Sequence, residues 1–238
     1  MLHYIKLSHK YVFNLKIIFM AINLQKGQKI DLRKESGEKL QNFCIGVNWG
    51  AIETKAFFGL MKNKQDVDLD LSCVLIDDNN NLCDHIYSPL YNIQVLQQFG
   101  LPKGKLTTND GAMRHTGDDL QGDKDGDDGL DNEIITVDLN RVDPKISKIF
   151  FFLNNVGKED FSQIPYAKIR MFEGTPQRVN SVFASYNVSA EAAFAGKRAL
   201  ILAKLYKKNG EWKFDAIGDP VDDSFLGQTI HRIVENYL

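Results

Sequence analysis

A chain of 238 residues, 43% hydrophobic and 25% charged, has a globular composition and enough length to bury one large core. Its formal net charge of -2 hides a local imbalance, because eight of the 31 acidic residues lie within residues 118–133, where Lys124 is the only cation. The remaining basic residues are scattered and lack the clustered stripe with interleaved aromatics that phosphate tracking requires, so no nucleic-acid partner is expected.

Residues 1–19 carry Lys6, Lys10 and Lys16, and a short apolar run at residues 17–22 follows with no small-x-small cleavage site. That run is too short to cross a bilayer. Met20 opens MAINLQKGQKI, which reads as a start, so residues 1–19 are expected to be a non-native or disordered extension; an amphipathic membrane anchor is the rival. Residues 20–238 are expected to form a single domain.

Beyond Met20 the chain reads as short β-segments: NFCIGVNW, KAFFGL, VDLDLSCVLID, EIITVDL, KIFFFLN, AKIRMF, ALILAKLY and EWKFDAI. They are rich in β-branched and aromatic residues, and turn formers separate many of them. The expected fold is mainly β, a β-sandwich with long acidic loops and a C-terminal helix. Asn209-Gly210 between two such runs predicts a tight antiparallel hairpin. Residues 92–99 predict a short helix. Residues 224–237 predict a second, with Leu226, Ile230, Ile233, Val234 and Tyr237 on one face and Asp222 or Asp223 as its cap. Cys44, Cys73 and Cys83, an odd number without a C-x-x-C pair, read as buried free thiols in a reducing compartment.

The stretch HTGDDLQGDKDGDDGLDNE, residues 115–133, would repel itself unless something neutralises it. Its glycines let carbonyls and carboxylates converge, and a flexible, oxygen-rich loop suits calcium, which takes about 6 to 8 oxygen ligands in loose geometry. The EF-hand pattern fails. Counted from Asp123, Asp128 stands at the turn glycine and Ile134 at the final glutamate, and the flanks are strand-like. A second acidic group, Asp66, Asp68 and Asp70, alternates with Val67, Leu69 and Leu71. On a strand, the three aspartates share one face while the apolar residues enter the core. A solvated edge face explains that pattern equally well.

LQKGQ, GVNWG, DVDLDLS, HTGDD with its GD-x-DGDD run, and NGEWKFDAIGD, in this order, closely resemble the TerD family of tellurite-resistance and stress-response proteins, from Met20 to the C-terminus. The resemblance implies a calcium-binding β-sandwich without enzymatic turnover. By position it carries over Asp68 and Asp70, and Asp118, Asp119, Asp123, Asp125, Asp127, Asp128 and Glu133, as candidate ligands. Two departures stand out. Gly129-Leu130-Asp131-Asn132 intervenes before Glu133, and Tyr87-Ser88-Pro89 opens an extended stretch where many members have a tyrosine and two asparagines.

Glycoside hydrolysis would need a buried acid opposite an ionised partner, and an acid-crowded, glycine-rich loop is expected to be wet or metal-bound instead. Reduction of an oxyanion would need a reactive thiol pair or a dinucleotide fingerprint, and neither is present. Of the five histidines only His115, abutting the loop, invites a role, that of fixing the loop by hydrogen bonding. The expectation is a cytoplasmic, non-enzymatic calcium-binding stress-response protein acting through other stress-response proteins. The rival is a calcium-dependent membrane- or ligand-binding β-sandwich module.

Overall fold

In the computed structural model, which describes residues 22–23, 26–34, 36–56, 61–188 and 192–238, most apolar runs of the sequence become strands. In chain order these are β1 Ile22–Asn23, β2 Lys29–Asp31, β3 Asn42–Trp49, β4 Ile52–Ala56, β5 Met61–Gln65, β6 Leu69–Asp77 and β7 Leu82–Ile86. After helix α1 (Ile93–Gln98) come β8 Met113–His115, β9 Glu133–Asp138, β10 Ile146–Asn155, β11 Ala167–Thr175, β12 Arg178–Asn187, β13 Ala199–Lys208 and β14 Glu211–Val221; helix α2 (Leu226–Asn236) follows. Residues 1–19, and residues 57–60 of the run KAFFGL, lie outside the described residues.

The strands form two six-stranded sheets, ordered β1-β12-β11-β3-β9-β8 and β2-β14-β13-β10-β6-β7, with β4 and β5 as a separate pair. Pairing is antiparallel except between β1 and β12. One core draws on both sheets: Phe43, Ile45 and Val47 of β3 share it with Leu71, Cys73 and Leu75 of β6 and with Phe151 and Leu153 of β10.

The second sheet is buried on its other face too. Val74, Ile76, Phe150 and Phe152 pack there under Leu226, Ile230 and Ile233 of α2 and Leu96 of α1. A strand covered on both faces needs apolar residues at consecutive positions, which is why β6 and β10 read as unbroken runs. Each such side chain, fully buried, contributes about 1.5–3 kcal/mol.

The hairpin expected at Asn209-Gly210 joins β13 to β14, and both turn residues take positive φ, 53° and 76°, so that Lys208 faces Glu211 across the turn. Helix α1 is capped by Asn92, whose side chain accepts from the N–H groups of Gln94 and Val95. The cap expected for α2 is different: Gln228 accepts from the N–H groups of Ser224 and Phe225. Asp223 is instead held by a two-point contact with Arg232. Val234, inside α2, is exposed rather than on the packed face, which Leu226, Ile230 and Ile233 make up. Cys44 and Cys73 are buried free thiols as expected, whereas Cys83, near the start of the edge strand β7, is only half-buried. Among the described residues no helix is long and apolar enough to cross a membrane.

Candidate metal centre

The acidic loop lies on a seat built by the GVNWG end of β3. Asn48 donates through Nδ2 to Asp123 Oδ2, Asp127 Oδ1 and the Leu130 carbonyl. The Trp49 N–H donates to Asn132 Oδ1 at 2.8 Å, and the Trp49 carbonyl accepts from the Asp123 N–H at 2.9 Å. The buried indole donates to the Val67 carbonyl at 2.7 Å, which joins the seat to the approach to β6. Gly122, at φ +69°, passes directly over the Trp49 ring, where a Cβ would collide with it. Gly46 likewise leaves room for the Asp131 carboxylate.

Glu133, fully buried at the start of β9, ties the loop to both sheets. Its Oε2 accepts from the Leu71 N–H at 2.7 Å, on β6 beyond the last β7 pair at Cys73–Ile86. Its Oε1 accepts from the Asp119 N–H at 3.1 Å. His115 lies 3.2 Å from Oε2 through Nε2, and its Nδ1 accepts from the Gly117 N–H at 3.0 Å. With Nδ1 accepting, the ring proton sits on Nε2 and points at the carboxylate. The role expected of His115, fixing the loop, is the one it plays.

Around Glu133 the inner carboxylates crowd together. Oxygens of Asp70, Asp118 and Glu133 all lie within 4.8 Å of one another. Burial, reinforced by Glu133, Asp118 and Asp119, pushes the Asp68 carboxyl up to about 6. Burial also holds Asp70 well above the ordinary carboxylate range, with Glu133 adding to the effect and the buried Tyr91 hydroxyl opposing it. Glu133 is raised for the same first reason, against the pull of His115 and the two N–H groups. Among the described residues no lysine or arginine forms an ion pair with Asp68, Asp70, Asp118, Asp119 or Glu133.

The rest of the loop is neutralised differently. Asp123 accepts from the Tyr166 hydroxyl at 2.9 Å and from Asn132 at 3.1 Å. Asp127 pairs with Lys168, which holds its carboxyl below the usual range. Asp131, whose side chain is 1% exposed, meets Arg170 Nε at 2.9 Å, although burial still raises it. Asp125 is fully exposed, paired at 2.8 Å with Lys64. Asp128 is exposed and caps the local turn at the Leu130 N–H. The nine candidate ligands therefore divide: Asp70, Asp118 and Glu133 come together with Asp68 near them, Asp119 turns its carboxylate to Asn132 and the Gln121 and Gly122 N–H groups, Asp123 and Asp127 form a second group over Asn48, and Asp125 and Asp128 face outward. Of Asp66, Asp68 and Asp70, only Asp66 is on a solvated face. It pairs with Lys124 at 3.1 Å.

The inner group fits a hard cation. Every donor is oxygen, and Asp68 Oδ1 and Asp118 Oδ1 are buried without a hydrogen-bond partner. Glu133 fits less well as a direct ligand, since both its oxygens already accept hydrogen bonds. Sequence reasoning missed Asn48, Asn132, Asp131 and Arg170 as parts of the loop's support. The signal for Asn48 lay in GVNWG, read only as a family mark.

Two sheets with a shared core and two helices, carrying at one end a group of carboxylates that no described lysine or arginine meets, define a mainly β protein with an acidic site at that end. The TerD domain profile matches residues 20–232, and the chain belongs to the TerD domain family. It is 34% identical over 222 residues to the stress response protein SCP2 of Bacillus subtilis (strain 168), covering 90% of this chain and all of that one. It is 30% identical over 203 residues to the tellurium resistance protein TerD of Serratia marcescens, covering 84% and 90%. The crystal structure of a homologue of telluride resistance protein (TerD) from Streptomyces coelicolor A3(2) shares the fold with TM-score 0.54 at 13% identity, over 77% of this chain and 91% of that one.

Proposed function

We propose that this chain is a non-enzymatic, cytoplasmic calcium-binding β-sandwich acting in stress response, tellurium resistance included, through other proteins. The observation that carries the calcium reading is the convergence of Asp70, Asp118 and Glu133 oxygens within 4.8 Å, with Asp68 and Asp118 each keeping an unpartnered buried oxygen. Asp70, Asp118 and Asp68 are the direct ligands in this reading, and Glu133 and His115 position them. Calcium's contribution is charge: it neutralises the inner carboxylates and so orders the loop between the sheets. The names of the relatives support the stress-response part. The thiols support a non-redox role, because burial pushes Cys44 up to about 11 and Cys73 higher, far from the thiolate a reductase would need.

The test is calorimetric titration of the EGTA-treated full chain with calcium, and with magnesium as control. Saturable calcium binding that Asp70→Asn and Asp118→Asn remove is the expected result. Absence of heat and of any thermal shift would return the inner cluster to a set of protonated acids. Bound at a hundredfold excess over Kd, calcium adds about 2.7 kcal/mol to stability.

A further inference from the structure

Beside the inner carboxylates opens a cleft of about 260 Å³, lined by Asp68, Asp70, Asn154, Leu90, Leu120 and Val156 among others. Its floor carries unpartnered acceptors beside the hydroxyls of Ser88 and Tyr91. Asn154 stands directly opposite Asp70 on the neighbouring strand β10. It is 2% exposed, and its Nδ2 is held by Thr229 of α2 at 2.9 Å, yet its Oδ1 has no partner. Asp68 Oδ1 beside it is equally unpartnered. The rim is the reverse. Leu90, Leu120 and Val156 are all large apolar residues left exposed, 68%, 49% and 46%, around one opening.

We propose that this cleft is a docking site for a partner protein that inserts a lysine side chain flanked by apolar residues. A lysine ammonium offers three N–H donors and no acceptor, matching the unpartnered acceptors Asn154 Oδ1 and Asp68 Oδ1, and its four-carbon stem suits the apolar walls. The cleft is smaller than the roughly 300–1,000 Å³ of drug-sized ligand sites, so it holds one side chain while the rim meets the partner's neighbouring residues. The proposal shares Asp68 and Asp70 with the calcium reading: with the ion bound, Asn154 Oδ1 is the acceptor left to the ammonium, and without it the aspartates are open as well.

The test uses the full chain with methyl-labelled leucine and valine, in calcium and in EGTA. The probes are the peptide Ac-Ala-Leu-Lys-Leu-Ala-amide, the same peptide with norleucine for lysine, and free hexylammonium. The expected result is saturable shifts of the Leu90, Leu120 and Val156 methyls with the lysine peptide, about tenfold weaker with norleucine. Leu90→Ser and Val156→Ser, at exposed positions that leave the core intact, should abolish these shifts while the calcium titration stays as in the parent. Equal responses to both peptides, no saturable response, or tighter binding of hexylammonium than of the peptide would each overturn the proposal. So would calcium-dependent co-sedimentation with phosphatidylserine vesicles that Leu90→Ser removes, since the rim would then be a membrane face. Peptide binding without calcium binding would overturn the metal reading and leave this one standing.

Discussion

The two halves of the acidic site use the same residue type to opposite ends. In the outer half, Asp127 and Asp131 meet Lys168 and Arg170 from β11, Asp125 meets Lys64, and Asn48 and Asn132 donate to Asp123 and Asp127, although Asp131 Oδ1 stays buried without a partner. In the inner half, Asp68, Asp70 and Asp118 have no such cation, and two of their oxygens are buried with no partner at all. A carboxylate satisfied by protein groups is structure, whereas one that the fold buries and leaves unsatisfied is stored demand for a cation. The number of acids in the loop thus says less about ion binding than the number of bases that reach each one.

The largest effect is expected where the halves are joined. Glu133→Ala removes the acceptor for the Leu71 and Asp119 N–H groups and for His115, and should cost about 3–5 kcal/mol in urea unfolding with calcium present. In EGTA the loss should be smaller, because deleting this charge also relieves repulsion on Asp68 and Asp70. An equal loss in both conditions would mean that the inner carboxylates are already neutral.

Next comes a break confined to the outer half. Arg170→Ala strands the buried Asp131 carboxylate and should cost about 2–3 kcal/mol, with calcium affinity unchanged. Calorimetry on the same variant checks the second part. A parallel fall in calcium affinity would show that the halves are one electrostatic unit.

The pH dependence separates them further. Asp68, Asp70 and Glu133 have folded-state pKa values above those of the unfolded chain, so between about pH 4 and 6 the native state binds more protons. Ion-free stability should therefore fall as pH rises through that window. Asp125 and Asp127, whose values are depressed, act in the opposite sense but only below about pH 4. Calcium should reverse the slope, since it binds the ionised forms. Melting curves at pH 5 and 7 in EGTA and in calcium test this, each 1 kcal/mol appearing as about 2–4 °C. Asp68→Asn should flatten the EGTA slope.

Much of this fold is legible because burial writes itself into periodicity. β3, β6, β10 and β13 announce themselves as apolar runs, and Asn209-Gly210 specifies its own turn. β12 does not, since RVNSVFASYN is mostly half-buried and interleaves polar residues with few apolar ones. Nor do β4 and β5, paired apart from the two larger sheets. At α2, the nearby aspartates suggested a cap, but Arg232, nine residues on, claimed Asp223 and left Gln228 to do it. In the site, the chain order gives the acids but not their neighbours. Asn48, Lys168 and Arg170 arrive from strands far away in sequence, so only the fold separates satisfied carboxylates from unsatisfied ones.

The smallest expected effect is also the sharpest on this point. Asp125 lies at the centre of the GD-x-DGDD run, where sequence logic would place a ligand, yet its side chain is wholly in water and, among the described residues, pairs with Lys64 alone. Exposed pairs of this kind contribute about 0–1 kcal/mol and weaken with salt. Asp125→Asn should therefore leave calcium affinity at its parent value, and Lys64→Ala should do the same. Losing calcium binding on Asp125→Asn would mean that the ion draws the outer loop inward, so that the two halves form a single site once it is bound. An unchanged titration, beside the loss on Asp118→Asn only seven residues away, would establish that burial without a base, and not acidity, selects the ligands.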